Sequence, residues 1–253
     1  FLGQIDNAST WLEACDIFAL DTETTGLNII AADLVGISFA VAPGEAAYLP
    51  LIHNYPGAPE QLSLDLVKAK LKPIFEDPSI KKIGQNIKYD QSILAAAGIN
   101  LKGVEFDTML ESYILNSVGN RHDMNTLALK YLGHECIHFE AIAGKGKKQV
   151  TFDQIELDIA ARYAAEDADV TLQLHNAIWP ELEKTQGPAA IFKELEMPLV
   201  NVLSSVERRG VLIDVDFMRQ KSNDFGKRIL ELETKAHELA GQPFNLASPK
   251  QLQ

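Results

Sequence analysis

Apolar and polar positions follow two different periods along this chain, and the change between them divides it. The run Ile17-Phe18-Ala19-Leu20 closes on Asp21, a short apolar segment ending in an acid, which predicts a buried strand with its polar end at the sheet edge. Leu34 to Val41, around Gly36, and Ala46 to Leu51, after the Pro43-Gly44 turn signal, predict two more strands. Three strands in close succession predict an antiparallel meander. From Leu62 to Phe75 apolar residues recur at helical spacing, Ile80 to Ile83 predicts a strand, and Ile87 to Ala97 a helix stopped by Gly98. Helices are expected at Thr108 to Leu115, Asn125 to Leu132 and Glu156 to Glu183, the last two separated by a Gly/Lys-rich loop at Gly144 to Gln149. The pattern predicts an α/β fold, a mixed sheet of an antiparallel meander plus parallel strands flanked by helices.

Beyond Gly187-Pro188 the texture changes. Long helices, Ile191 to Arg208 and Phe217 to Ala240, bracket a short apolar strand, Val211-Leu212-Ile213. A boundary is therefore expected near residues 184 to 188, between a domain at 1–184 and a mostly helical segment at 185–253. No internal repeat or low-complexity tract is visible.

Composition narrows the reading. A chain of 253 residues, 46% apolar and 23% charged, can bury one substantial core or one core plus part of another. No stretch reaches the roughly 20 apolar residues of a membrane span, and the N-terminus lacks the order of a signal peptide, so a cytoplasmic location is expected. Phe1 at one end and Pro249-Lys250-Gln251-Leu252-Gln253 at the other suggest a piece of a longer protein. Cys15 and Cys136 are the two cysteines; without Cys-x-x-Cys or zinc spacing, reduced thiols are expected rather than a disulfide or structural zinc. A formal charge of −12 argues against a protein whose main task is gripping nucleic acid, although a site rich in metal-binding carboxylates would give the same balance.

The acids are where the chemistry concentrates. Asp21 and Glu23, two apart on a strand end, share one face of the sheet, where their mutual repulsion makes sense around a divalent cation, although a solvated strand end before the Thr24-Thr25-Gly26 turn accounts for the pair equally well. Asn86, Tyr89 and Asp90 place a donor, a phenol and a carboxylate near one helix mouth, although Asn86 is also a good N-cap and Asp90 also suits a helix first turn. Tyr163 and Asp167 stack at i, i+4 on one helix face among small alanines. His122, His134 and His138 match no clear ligand set, and ordinary surface or core histidines are the better account of them. Lys145, Lys147 and Lys148 form a glycine-interleaved cluster that suits either phosphates or a solvated loop, and lack the strand-to-helix context of a nucleotide-binding loop.

Asp-x-Glu on a first strand, Asn-x-x-Tyr-Asp on a middle helix and Tyr-x-x-x-Asp on a late one together resemble the DnaQ-like, ribonuclease H-like exonucleases with a tyrosine in the third motif. Ribonuclease D and Werner-type exonucleases share these motifs. The flanks, Phe106 to Leu115, Gly119 to Met124, Phe139 to Lys147 and Phe244 to Leu252, are similar to the bacterial DNA polymerase I family (family A) over essentially the whole chain. The resemblance implies that residues 1–184 are a 3′ to 5′ proofreading domain and 185–253 the start of a polymerase domain leading toward the thumb.

It implies roles as well. Asp21, Glu23, Asp90 and Asp167 are expected to hold two divalent metal ions, magnesium or alternatively manganese or zinc, roughly 4 Å apart. Asp21 is expected to bridge both, Glu23 and Asp167 to complete the first site, and Asp90 to hold the second. Tyr163, with Glu23, is expected to orient an attacking water. Leu27 and Phe139 are expected to wedge and stack on bases, with Thr24, Gln85, Asn86, Tyr89 and Arg121 contacting the terminal nucleotides, although Leu27 could be core and Arg121 a surface charge. The implied partners are a single-stranded or frayed 3′ end of DNA and the rest of a polymerase chain in cis, in a monomer associated with the nucleoid. Two other functions are weighed: a catalytically silent scaffold guiding DNA, and a ribonuclease D-like RNA 3′ exonuclease.

Overall fold

A computed structural model describes residues 2–118 and 121–253. Gly119 and Asn120, in the Gly119 to Met124 segment, and Phe1 lie outside the described residues. Two compact units separate at residues 208/209.

In the first unit the sheet is built on β1 (Ile17–Thr24), in which Phe18, Ala19 and Leu20 are fully buried. β2 (Leu34–Ala42) and β3 (Glu45–Pro50) follow it as the expected antiparallel meander, with Asp21 opposite Ser38 and Ile37 opposite Leu49. On the other side β1 runs parallel to β4 (Lys81–Gly84), which runs parallel to β5 (Val104–Asp107), giving the order β3-β2-β1-β4-β5. The pairing of β1 with β4 stops at Ala19 opposite Ile83. Asp21 and Glu23 therefore sit beyond it, at the carboxyl end of β1, where an opening between strands is a usual place for ligands.

Helices cover the sheet. α1 (Leu2–Glu13) is followed after the meander by α2 (Leu64–Phe75), capped by the Ser63 hydroxyl and burying Val67, Leu71, Ile74 and Phe75 at helical spacing. The fully buried Lys82 of β4 donates to the Ile74 and Asp77 carbonyls at 2.9 and 2.7 Å, closing the C-terminal end of α2; burial lowers its pKa to about 8. α3 (Ile87–Ala96) and α4 (Thr108–Leu115) share one cap. The buried carboxylate of Asp107 accepts from the amides of Asn86 and Ile87 and from those of Met109 and Leu110. Asn86 thus occupies the N-cap position of α3 without capping it, in the left-handed region at φ 61°.

α5 (Met124–Leu127) runs into a π-helical turn, Ala128–Leu132, and α6 (Phe139–Ala143) precedes the lysine loop, which contains a 3₁₀ turn at Gly146–Lys148. α7 (Leu157–Glu183) crosses β1, β2 and β3. Ala160, Ala164 and Ala168, every fourth residue and fully buried, let this helix lie close to the sheet, and Asp169 fixes it by accepting from the Gly44 amide in the β2–β3 turn at 2.8 Å. α8 (Gln186–Ile191), a π turn at Phe192–Glu196 and α9 (Met197–Arg209) replace the single helix expected from Ile191. Phe192, Met197 and Val200 are buried in the main core, so the compact unit extends past residue 184.

The second unit, 209–253, contains α10 (Val215–Ala240) and the short α11 (Pro249–Leu252). Asp214 caps α10 by accepting from the Phe217 amide at 2.9 Å, and Gly241 ends it in the left-handed conformation. The expected strand Val211-Leu212-Ile213 is not one: the segment has no ladder partner among the described residues, and an apolar run becomes a strand only by pairing.

Candidate active site

Asp21, Glu23 and Asp167 converge. One ligand oxygen of each lies within 4.8 Å of the others, although the first two come from β1 and the third from α7. The period of two along β1 sends Thr22 the other way, and there it meets Asp90 of α3. Asp90 Oδ1 accepts from the Thr22 amide at 2.9 Å and from its hydroxyl at 2.6 Å, both buried. Thr22 was not among the expected site residues. Its signal is a hydroxyl-bearing residue between two acids at the polar end of the strand.

Bringing four carboxylates together out of water is electrostatically costly, and their proton affinities record it. Burial pushes Asp21 up to about 7 against the pull of the Thr22 amide. Burial, and then the charges of Asp21, Asp167 and Asp90, hold Glu23 well above the usual carboxylate range. Asp90 and Asp167 are likewise raised, by burial first and then by Asp21, with Thr22 and Tyr163 respectively working against the rise. Burial and the neighbouring acids also raise Tyr163, so its phenol stays protonated and serves as a donor.

This arrangement predicts a pH dependence. Asp21 holds its proton up to about 7 when folded and only to about 3.8 when unfolded, so the metal-free native state binds more protons between those values and loses stability as pH rises through them. His53 and His175 act oppositely, because burial lowers their pKa values, that of His175 to about 4, and the native state gains stability from them as pH rises. The comparison is therefore with Asp21→Asn. Thermal melts in chelator at pH 5, 6, 7 and 8 should show the wild-type melting temperature falling progressively relative to the variant; parallel profiles would remove the cluster as the cause.

A cavity of about 600 Å³ opens on Asp21, Glu23 and Asp167, with Asp90 buried behind Thr22 and outside its lining, and Leu27, Phe139, Val150 and Phe152 also line it. Leu27 is 94% exposed, so it is no core residue; it projects from the turn after β1. That turn is braced by Tyr89, whose hydroxyl donates to the Gly26 carbonyl at 2.7 Å and lies 2.5 Å from the Thr24 hydroxyl. Phe139, Phe152 and Tyr163 pack ring against ring, with centroids 5.9 to 6.5 Å apart, which fixes the phenol beside Asp167. Tyr48 approaches from β3 over Gly36, where any side chain would collide with its ring, and burial first, then the charges of Glu23 and Asp21, raise its pKa.

Gln85, Asn86 and Arg121 do not line this cavity. Gln85 accepts from the Thr108 hydroxyl and donates to the His122 carbonyl, Asn86 is exposed, and Arg121 pairs with Asp123 at 3.2 Å on the surface. Lys145 pairs with Glu140 at 2.7 Å, and Lys147 and Lys148 are exposed.

The donors suit a hard divalent cation. All are carboxylate oxygens, and Glu23 Oε1 is buried without a hydrogen-bond partner among the described residues.

Comparison with known proteins identifies the family. A family described as 3′–5′ exonuclease matches residues 3–183. DNA polymerase I of Pseudomonas aeruginosa is 55% identical over 95% of this chain and 27% of its own length, and that of Rhizobium leguminosarum 40% identical over 94% and 25%. The chain thus spans about a quarter of the length of these relatives. In fold it is similar to the POL domain of Pol1 from M. smegmatis in complex with DNA primer-template and dNTP, at TM-score 0.77 and 22% identity over 99% of this chain and 39% of that one.

Proposed function

The chain belongs to the 3′–5′ exonuclease family found within DNA polymerase I, and from that premise we propose that it removes mispaired nucleotides from the 3′ end of DNA by phosphodiester hydrolysis. The observation that carries this reading is the convergence of Asp21, Glu23 and Asp167, with Glu23 Oε1 buried and unpaired. Asp21, Glu23 and Asp167 would hold one divalent cation, and Asp21 with Asp90 a second; magnesium suits the oxygen-only donors, with manganese or zinc as alternatives. When bound, the pair supplies stabilisation of charge on the attacking and leaving oxygens.

The chain's own groups position. Tyr163, kept protonated, donates to the attacking water, and Glu23 accepts from it. Thr22 holds Asp90. Leu27 wedges beside the terminal base and Phe139 stacks on it, while Thr24 and Tyr89 hold the turn that presents Leu27. Asn86 and Arg121, exposed outside the cavity, contact the strand further along, and Gln85 keeps the His122 segment in place for it. Residues 1–184 are the proofreading domain, supported by the family match at residues 3–183, and 185–253 begin the polymerase domain, its helices up to residue 208 packing in the same compact unit and the rest of the polymerase being the partner in cis. The location is the cytoplasm, at the nucleoid, in a monomer; no helix of the described residues is long and apolar enough to cross a membrane.

A labelled primer-template with a mismatched 3′ end, its matched counterpart and an RNA oligomer test the substrate. Faster loss of the mismatched DNA end is expected, and preference for RNA would transfer the assignment to RNA processing. Leu27→Ala should slow removal from duplex ends several-fold more than from single strands, measured as a ratio of rates, because only duplex ends need wedging. Chelation should abolish cleavage while circular dichroism stays unchanged. It should lower the melting temperature by no more than about 10–20 °C, the scale of two ligands each present at a hundred times its dissociation constant.

A further inference from the structure

Away from the carboxylate cavity, three side chains of unlike chemistry meet where the loop after the π-helical turn crosses α7. Gly133, left-handed at φ 64°, ends that turn and delivers His134 against the helix. His134 Nε2 lies 2.8 Å from Glu166 Oε1, and the other oxygen of Glu166 accepts from the Ile137 amide at 2.6 Å. Between them the loop buries Cys136, 4% exposed. One ligand atom each of His134, Cys136 and Glu166 lies within 4.8 Å of the others.

We propose that His134, Cys136 and Glu166 form a second metal site, for a divalent ion of the zinc type, distinct from the oxygen-only cluster around Asp21. Donor chemistry separates the two. A thiolate and an imidazole favour zinc or cobalt and are poor ligands for magnesium, whereas carboxylates alone suit magnesium. The spacing fits, since sulfur at about 2.3 Å and nitrogen and oxygen at about 2.0 Å from a tetrahedral ion stand roughly 3.3–3.5 Å apart, within reach of small side-chain rotations. Binding exchanges the His134–Glu166 hydrogen bond for coordination, the Nε2 proton giving way to the tautomer protonated at Nδ1, and releases the Cys136 thiol proton to solvent; no electron moves. The fourth position faces a cleft of about 520 Å³ lined by His134, Glu166, Asp169 and Arg162. With Arg162 there, direct coordination rather than a general negative field must draw the ion in. Glu166 precedes Asp167, and the loop leads directly into Phe139, so an ion here fastens the Phe139 segment to the turn of α7 that carries Asp167.

Cobalt(II) titration of the 253-residue chain carrying Cys15→Ser and Asp21→Asn isolates the site from the other thiol and from the oxygen cluster. One equivalent of cobalt should produce a near-ultraviolet thiolate charge-transfer band that zinc displaces and millimolar magnesium does not. Cys136→Ser should abolish the band, and His134→Ala, at an exposed position, should weaken cobalt binding at least about tenfold, removal of a ligand costing no less than removal of its outer partner. Circular dichroism checks that both variants fold, and if Cys136→Ser does not, the His134→Ala titration decides. Absence of the band, its persistence in a folded Cys136→Ser chain, or unchanged affinity in His134→Ala overturns the proposal.

Discussion

Asp21→Asn is expected to lower 3′-end cleavage by at least about a thousandfold and, in the same protein, to raise the metal-free melting temperature. Both effects come from one position. Asp21 contributes to the raised proton affinity of Glu23, Asp90 and Asp167 alike, so it stands electrostatically at the centre of the cluster. Replacing it with a neutral isostere removes the ligand proposed to serve both cations, and losing even one preorganised electrostatic group costs about 10²–10³ in rate. The same change relieves repulsion on the three remaining acids, and function commonly keeps such destabilising groups in place. Activity and melting in chelator, measured on one preparation, check both halves. A variant that lost activity and also melted earlier would mean that Asp21 supports the fold.

Asp90→Ala is expected to reduce cleavage by at least about a hundredfold with the fold largely intact. Asp90 is 2% exposed and satisfies two donors of Thr22, so truncation leaves the Thr22 hydroxyl and amide without their acceptor, a loss of about 1–3 kcal/mol for each donor left unpaired. Thr22→Val separates position from charge. It deletes one of the two hydrogen bonds while keeping the acid, so its rate should fall between those of wild type and Asp90→Ala. Near-normal turnover in Asp90→Ala would remove this acid from the site, and equal losses in both variants would assign Asp90 a role only through Thr22.

Local periodicity carried much of this into the sequence. The alternation along β1 put Asp21 and Glu23 on one face, and the i, i+4 spacing paired Tyr163 with Asp167, because each pair lies within one element. The bond from Thr22 to Asp90 spans 68 residues and leaves no periodic trace. The cluster of His134, Cys136 and Glu166 escaped for the same reason: α7 brings Glu166 back to a loop 30 residues earlier in the chain. β5 is only four residues long and interrupted by Glu105, and α1 carries polar residues through most of its length, so neither announced itself. Val211-Leu212-Ile213 has the composition of a strand but no partner, and composition does not supply partners. At Asn86, a residue type favoured at caps suggested a capping side chain, whereas Asp107, 21 residues on, does that work for two helices.

The most direct test of the carboxylate cluster as a hydrolytic centre is digestion of a 5′-labelled single-stranded DNA by the 253-residue chain, with magnesium and with chelator. Stepwise shortening from the 3′ end in magnesium, absent in chelator and absent in Asp21→Asn, is the predicted result. A strand left intact by folded, magnesium-supplied wild-type protein, or shortened equally well by Asp21→Asn, would contradict it.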